Sequence, residues 1–266
     1  MTDLNNKLAE KISRGSKLFI PYITFSYPNL KLFHDILNLF QDSGADAIEI
    51  GIPFSDPVAD GPTIQRSSAM ALKTGASLRK AFSELRRVRD KLNIPALFMS
   101  YYNPILAIGV DRFLELSKSS KLSGVVIPDL PLEEASSLTK EAEAVNLALA
   151  SFISPTTSSK RIKEIDRGCS GFIYYVSSTG VTGVKDIFSN ATISRIRTVK
   201  KLTTNPLCVG FGVSKERQVW EIKNVADGVI IGSAIIKIID RNLKERNRMM
   251  KDLSLFFKKI RKVLDE

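Results

Sequence analysis

The sequence of 266 residues has few of the side chains that usually bind metals or serve as nucleophiles. It contains one histidine, His34, and two cysteines, Cys169 and Cys208. His34 lies off the apolar stripe of an amphipathic helical segment and is expected to face solvent, which leaves no Ser-His-Asp triad and no histidine-rich metal site. The cysteines lie in or beside apolar segments, where we expect reduced, buried thiols and neither a disulfide nor a metal site. Acid–base chemistry must therefore come from carboxylates, lysines or tyrosines.

Long apolar runs are also absent. No stretch approaches the roughly 18 consecutive apolar residues that span a membrane, and the polar segment 1–14 lacks the apolar core of a signal peptide. These features predict a cytoplasmic protein. The net charge of +11 suggests nucleic acid as an alternative partner, but the basic runs 86–89 and 258–262 lie in amphipathic helical patterns without interleaved aromatic residues. We therefore expect neither a membrane nor a nucleic acid as partner.

What the sequence does contain is a repeated alternation of short apolar segments with segments of helical periodicity. Alternating strands and helices favour parallel βα units, and eight such units close a TIM (β/α)8 barrel. A doubly wound open sheet is the alternative. We predict an α/β fold in which residues 1–266 form a single TIM-barrel domain with an extra N-terminal helix at 1–14. The predicted strands are 18–24, 47–51, 96–101, 124–128, 148–153, 171–176, 207–211 and 228–231.

Two carboxylates mark the strand and loop at 47–65. Glu49 lies near the end of an apolar strand among small residues, where a carboxylate is costly unless it is paired or used in chemistry. Asp60 follows on a loop rich in proline and glycine that can fold back over the strand end. One buried and one loop carboxylate suit a general acid/base beside an electrostatic stabiliser. A paired core residue and a turn former would explain the same two positions without catalysis.

Glycines follow the last three predicted strands, in the segments 180–183, 210–212 and 232–233. Glycine lets backbone N–H groups approach an anion closely, and a helix beginning near Ser233 would direct its positive end toward that anion. Barrels of this class frequently bind phosphate there, although ordinary turns also use glycine. No lysine lies within or at the end of the strands, which disfavours a Schiff-base aldolase. The sequence thus indicates a phosphorylated substrate, an aromatic and apolar pocket, and two carboxylates.

The same segments resemble a known family, in register and in order, from about Leu18 to the C-terminal helix. In chain order the matching motifs are EIGIPFSDP at 49–57, ADGPTIQ at 59–65, YYNPI at 101–105, VIPDLP at 126–131, TGVTG at 179–183, GFGVS at 210–214 and GSA at 232–234. On these motifs the chain resembles the tryptophan synthase alpha chain family, whose members are TIM-barrel indole-3-glycerol-phosphate lyases of tryptophan biosynthesis.

The resemblance implies a retro-aldol cleavage of indole-3-glycerol phosphate to indole and glyceraldehyde 3-phosphate. No cofactor is needed, because the indole ring becomes the electron sink once it is protonated at carbon 3. The resemblance assigns to Glu49 the delivery of that proton and the removal of one from the glycerol 3′-hydroxyl. Asp60 would hold the ring N–H and stabilise the positive charge that develops.

Further site residues follow from the same resemblance. Thr182 would hydrogen-bond Asp60 when its loop closes, and Tyr175 would lie near Glu49. The indole pocket would be lined by Tyr22, Ile64, Met99, Tyr101, Ile127, Tyr175, Thr182 and Phe211. The phosphate would be held by Gly183, Gly212, Gly232 and Ser233. No metal ligand is implied.

The family also implies a partner. Its members work with a pyridoxal-phosphate-dependent beta chain in an alpha-beta-beta-alpha heterotetramer and pass indole to that chain through a tunnel. Pyridoxal phosphate is therefore expected only on the partner. Asp56 and Pro57 lie on the Asp60 loop and would face the beta chain, coupling the two sites. An ordinary Asp-Pro turn is the alternative for these two positions.

The chain departs from the family pattern in two loops. Phe25, Ser26 and Tyr27 stand before Pro28 where the family usually has glycine and aspartate, and Ser178 replaces an arginine whose reach and charge serine lacks. Both carboxylates are unchanged, so a lyase is the main interpretation. The alternative is a catalytically weakened subunit that acts mainly as an allosteric activator of its beta chain, and a different phosphate-binding barrel isomerase is a third reading.

Overall fold

Eight parallel strands form a closed barrel in the structure, a computed structural model that describes residues 2–177, 187–210 and 212–266. The strands are β1 Leu18–Thr24, β2 Ile48–Gly51, β3 Ala96–Met99, β4 Gly124–Val126, β5 Ala148–Ile153, β6 Ile173–Val176, β7 Leu207–Gly210 and β8 Gly228–Ile231. Each strand pairs with the next along the chain, and β8 pairs with β1. This closure confirms the predicted TIM barrel and excludes the open sheet.

Helices surround the barrel. In chain order they are α1 Asp3–Ser13, α2 Leu30–Asp42, α3 Pro62–Lys73, α4 Leu78–Val88, α5 Tyr102–Ile108, α6 Val110–Ser119, α7 Leu132–Ala144, α8 Ser159–Gly168, α9 Asn190–Leu202, α10 Glu216–Lys223, α11 Ser233–Arg241 and α12 Arg246–Asp265. The predicted N-terminal helix is α1, which begins after an N-cap at Thr2. None of the helices in the described ranges is long and apolar enough to cross a membrane.

Helix α5 was missed by the sequence analysis, which extended the third strand to Tyr101. Strand β3 ends at Met99, and α5 begins at Tyr102 because the carboxylate of Asp129 accepts the Tyr102 N–H at 2.9 Å. This cap comes from the loop after the next strand. Local sequence patterns give no sign of such a distant capping residue.

The core lies between the barrel and its helices. All seven residues of β1 are buried, and Phe257 of α12 packs on Phe19 and Phe40 with ring centroids 5.9 and 5.2 Å apart. Both cysteines are free thiols, Cys208 buried and Cys169 half-buried. His34 does not simply face solvent as predicted, because α4 partly covers it and its Nε2 lies 3.3 Å from Glu84 Oε2.

Candidate active site

A cavity at the carboxyl ends of the strands contains both predicted carboxylates. Its volume is about 430 Å³, counting its open mouth. The carboxyl end of the strands is the face on which TIM barrels build their active sites. Among the described residues its lining consists of Tyr22, Glu49, Asp60, Ile64, Met99, Tyr174, Gly212, Val213, Ile230, Gly232 and Ser233.

Glu49 is placed in the cavity by the pleat of β2. It pairs with Tyr22 of β1, and side chains at paired positions of neighbouring strands point to the same face of the sheet. Only 1% of Glu49 is exposed, and its Oε2 has no hydrogen-bond partner among the described residues. Burial, with a smaller contribution from Asp60, raises the pKa of Glu49 to about 8. The carboxyl group is therefore protonated at neutral pH and can donate a proton.

Asp60 lies on the loop between β2 and α3, immediately before the Gly61 N-cap and the Pro62 that begins the helix. Burial raises the pKa of Asp60 to about 6, and a hydrogen bond from the Tyr101 side chain opposes that rise. The Tyr101 hydroxyl also accepts the Ala59 N–H at 3.0 Å, which holds the loop beside the tyrosine. At neutral pH Asp60 is mainly ionised. The cavity therefore contains one carboxylic acid and one carboxylate, an arrangement suited to two different roles.

Two tyrosines fit beside Glu49 because glycines on the strands next to theirs leave room for the rings. A Cβ at Gly51 would collide with the Tyr22 hydroxyl, and a Cβ at Gly210 would collide with the ring of Tyr174. Each glycine thus leaves room for an aromatic side chain inside the barrel. These rings and the apolar side chains around them exclude water from Glu49, which is the physical cause of its raised pKa.

The inward-facing tyrosine of β6 is Tyr174, and Tyr175 points away from the cavity. Tyr174 stacks on Phe152 of β5 with ring centroids 5.0 Å apart, and it lines the cavity with Glu49 and Asp60. Tyr175 lies on the α9 side of the strand, where burial raises the pKa of its hydroxyl against a smaller opposing effect of Arg195. The expectation that Tyr175 lies near Glu49 is therefore wrong, and Tyr174 occupies that place. The two residues are adjacent on the strand, so their side chains point to opposite faces.

The other predicted residues divide into three groups. Several line the cavity as expected: Tyr22, Ile64, Met99, Gly212, Gly232 and Ser233. Tyr101 contacts Asp60 from outside that lining, whereas Ile127 lines a separate groove between α7 and α8. Thr182, Gly183 and Phe211 lie outside the described residues, as does Ser178.

Sequence reasoning missed Tyr174, Val213 and Ile230. Tyr174 and Ile230 could have been found by continuing the inward alternation of side chains along β6 and β8. In the described part of the chain, no group of three or more His, Cys, Asp or Glu side chains could hold a metal ion.

Asp56 and Pro57 lie on the outer part of the β2–α3 loop. The Ser55 hydroxyl donates a hydrogen bond to the Asp56 carboxylate. Gln65 of α3 donates to the Asp60 carbonyl oxygen at 2.8 Å, so the inner end of the loop is tied to the helix. Val58, which follows Pro57, is 84% exposed. The loop thus presents one end to the cavity and the other to the surface.

Comparison with known proteins decides the family. The family model described as "Tryptophan synthase alpha chain" matches residues 8–265. The chain belongs to the tryptophan synthase alpha chain family. This result confirms the resemblance that the motifs indicated.

Named tryptophan synthase alpha chains are similar over nearly the whole sequence. The one from Carboxydothermus hydrogenoformans is 44% identical over 252 residues, which are 95% of this chain and 94% of the relative. The one from Bacillus subtilis is 41% identical over 235 residues, 87% and 86% of the two chains.

Solved structures agree with this placement. Tryptophan synthase subunit alpha from Legionella pneumophila superposes with a TM-score of 0.90 at 28% identity, over 100% of this chain and 99% of that one. A chain of tryptophan synthase from M. tuberculosis in an aminoacrylate-bound form gives 0.85 at 26% identity, over 99% and 100% of the two chains. The tryptophan synthase alpha chain family therefore accounts for the fold as well as the sequence.

Proposed function

We propose that this chain is the alpha subunit of a tryptophan synthase and that it cleaves indole-3-glycerol phosphate to indole and glyceraldehyde 3-phosphate. The observation that carries the proposal is the pair of carboxyl groups in one cavity, with Glu49 protonated and Asp60 ionised at neutral pH. Family membership supports the substrate, and the two protonation states support the proton transfers that the cleavage requires.

The reaction begins with the transfer of the Glu49 proton to carbon 3 of the indole ring. The ring nitrogen then carries positive charge, and its N–H donates to the Asp60 carboxylate, which stabilises that charge as it develops. The Glu49 carboxylate next accepts the proton of the glycerol 3′-hydroxyl. The bond between carbon 3 and the glycerol carbon breaks, its electron pair returns to the ring, and the hydroxyl carbon becomes the aldehyde. Glu49 ends the cycle protonated, as it began.

Binding is divided between an apolar and a polar end of the cavity. Ile64, Met99 and Ile230 supply apolar surface for the indole ring. Ser233 begins α11 and supplies the positive end of that helix for the phosphate. Gly212 and Gly232 add backbone that an anion can approach closely. Thr182, Gly183 and Phe211 are proposed to complete the site.

Partner binding is also part of this proposal. We assign no cofactor to the chain itself, and we propose that a beta chain with its own pyridoxal phosphate receives the indole in an alpha-beta-beta-alpha assembly. Asp56 and Pro57, at the outer part of the Asp60 loop, are the proposed contact with that chain. Movement of this loop on contact would shift Asp60 and so couple the two sites.

The proposal is tested by incubating the chain with indole-3-glycerol phosphate and quantifying both products. Equal amounts of indole and glyceraldehyde 3-phosphate are expected. Glu49→Gln should abolish their release, because an amide cannot transfer a proton to carbon 3 of the ring. The matched control is Glu84→Gln, which changes a half-buried glutamate on α4 outside the cavity. This variant should retain activity. A Glu49→Gln variant as active as the wild type would contradict the proposal.

A further inference from the structure

The loop after β7 is shaped by one buried side chain from outside the cavity. The chain passes from Gly210 through Gly212, whose φ of +97° is in the left-handed region, to α10. Gly212 and Val213 line the cavity on the side of Gly232 and Ser233. Gln218, in the first turn of α10, is only 2% exposed and does not line the cavity.

The Gln218 amide binds both ends of this loop. Its Oε1 accepts the N–H groups of Ser214 at 2.8 Å and Lys215 at 3.0 Å, and its Nε2 donates to the Gly212 carbonyl oxygen at 3.2 Å. One planar amide thus uses its acceptor and a donor on three backbone groups within four residues. Burial makes each contact costly to lose, because water cannot replace the missing partner.

The contact with Gly212 fixes the orientation of a peptide plane. In a trans peptide the carbonyl oxygen and the following N–H point in opposite directions. Gln218 lies outside the cavity, so a Gly212 carbonyl oxygen bound to it points away from the cavity. The N–H of Val213, in the same peptide plane, then points toward the cavity. Glycine rotates readily in both φ directions, so this plane could otherwise flip. A flipped plane would present a partial negative charge to a bound anion.

We propose that Gln218 is a positioning residue for the phosphate subsite, because it locks the Gly212 peptide so that its carbonyl oxygen stays away from the anion. The inference rests on the proposed function, which places the substrate phosphate beside Gly212, Gly232 and Ser233. Gln218 itself touches no substrate. Its effect is therefore confined to the phosphorylated end of the ligand.

The test compares two aldehydes in the synthetic direction, indole with glyceraldehyde 3-phosphate and indole with unphosphorylated glyceraldehyde. Gln218→Met keeps the length of the side chain and removes the hydrogen bonds of its amide, including one from the Ser214 hydroxyl at 3.3 Å. We expect the KM for glyceraldehyde 3-phosphate to rise about tenfold, with kcat/KM for glyceraldehyde changed less than about twofold. An equal loss with both aldehydes, or an unchanged KM for the phosphorylated one, would overturn the inference.

A second variant isolates the donor contact and provides a check should Gln218→Met fold poorly. Gln218→Glu retains an acceptor for Ser214 and Lys215, but its carboxylate cannot donate to the Gly212 oxygen. Relative to wild type at each pH, we expect its KM for glyceraldehyde 3-phosphate to be raised at pH 8 and to recover at acidic pH, where the protonated acid donates again. A KM ratio that does not change with pH would count against the lock.

A matched control and a direct binding measurement complete the design. Asn205, at the opposite end of the barrel, donates to the Asp166 carbonyl oxygen at 2.8 Å, and Asn205→Leu should leave the ratio between the two aldehydes unchanged. Calorimetric titration with glycerol 3-phosphate should give an about tenfold higher Kd for Gln218→Met than for wild type. If the wild type condenses neither aldehyde, the proposed function fails, and the titration alone still decides the role of Gln218.

Discussion

Glu49 and Tyr22 are paired residues on neighbouring strands, and both side chains point into the same cavity. The Tyr22 ring lies against Gly51 and Gly232, so it covers the barrel interior next to Glu49. This arrangement removes water from the Glu49 carboxyl group and leaves its Oε2 without a hydrogen-bond partner in the described part of the structure. A carboxyl group kept neutral by its surroundings at pH 7 is an acid ready to protonate a substrate.

The stability of the protein should depend on pH through Glu49. Its pKa is about 8 in the folded state and near its ordinary value when unfolded, so the folded state binds more protons between these two values. The free energy of unfolding therefore falls as pH rises through this window. The loss is at most about 5 kcal/mol, because each unit of pKa difference corresponds to about 1.4 kcal/mol. Urea unfolding should show Glu49→Gln gaining stability over wild type toward pH 8, with a smaller difference at pH 5. A difference that is constant with pH would contradict the assigned pKa.

The rate of cleavage should follow a bell-shaped pH profile. Activity requires Asp60 ionised and Glu49 protonated, so kcat/KM should rise near pH 6 and fall near pH 8. Tyr101→Phe removes the hydrogen bond that lowers the pKa of Asp60, and the acidic limb should move to higher pH. The control is Tyr102→Phe, which alters the next tyrosine and should leave the profile in place. An acidic limb unchanged in Tyr101→Phe would remove Asp60 from that role.

The two adjacent tyrosines of β6 should respond differently to loss of their hydroxyl groups. Tyr174→Phe alters the surface that faces both carboxylates and should lower kcat/KM about tenfold, the size of a lost polar contact near a charged group. Tyr175→Phe removes a buried hydroxyl with no hydrogen-bond partner among the described residues. It should leave kcat/KM within about twofold and stability equal or higher. The opposite pattern would restore Tyr175 to the site.

Most of the barrel and the two carboxylates of the cavity could be predicted from the sequence because they depend on local patterns. Apolar strands alternating with amphipathic helices defined the eight βα units, and Glu49 was conspicuous as a carboxylate inside one such strand. The loop with Asp60 and the helix that begins at Ser233 were marked by proline and glycine in the same way.

Two of the errors have a common physical cause, which is that contacts distant in sequence decide them. Asp129 caps α5 from another loop, and α4 covers His34 from a neighbouring helix. The expectation for Tyr175 came from the family resemblance and was one position from Tyr174, and along a strand a single step reverses the face. The hydrogen bonds of Gln218 are local, with Gly212, Ser214 and Lys215, but the backbone course of the loop that they require could not be predicted.

The most direct test of the account is the release of glyceraldehyde 3-phosphate from indole-3-glycerol phosphate, measured with and without the beta chain from the same source. We predict release by the chain alone, a marked increase with the partner, and no release by Glu49→Gln, even though this variant should still accelerate the partner's synthesis of tryptophan from indole and serine. No release by the wild-type chain, with activation of the partner intact, would contradict this prediction and would identify a subunit that serves for activation alone.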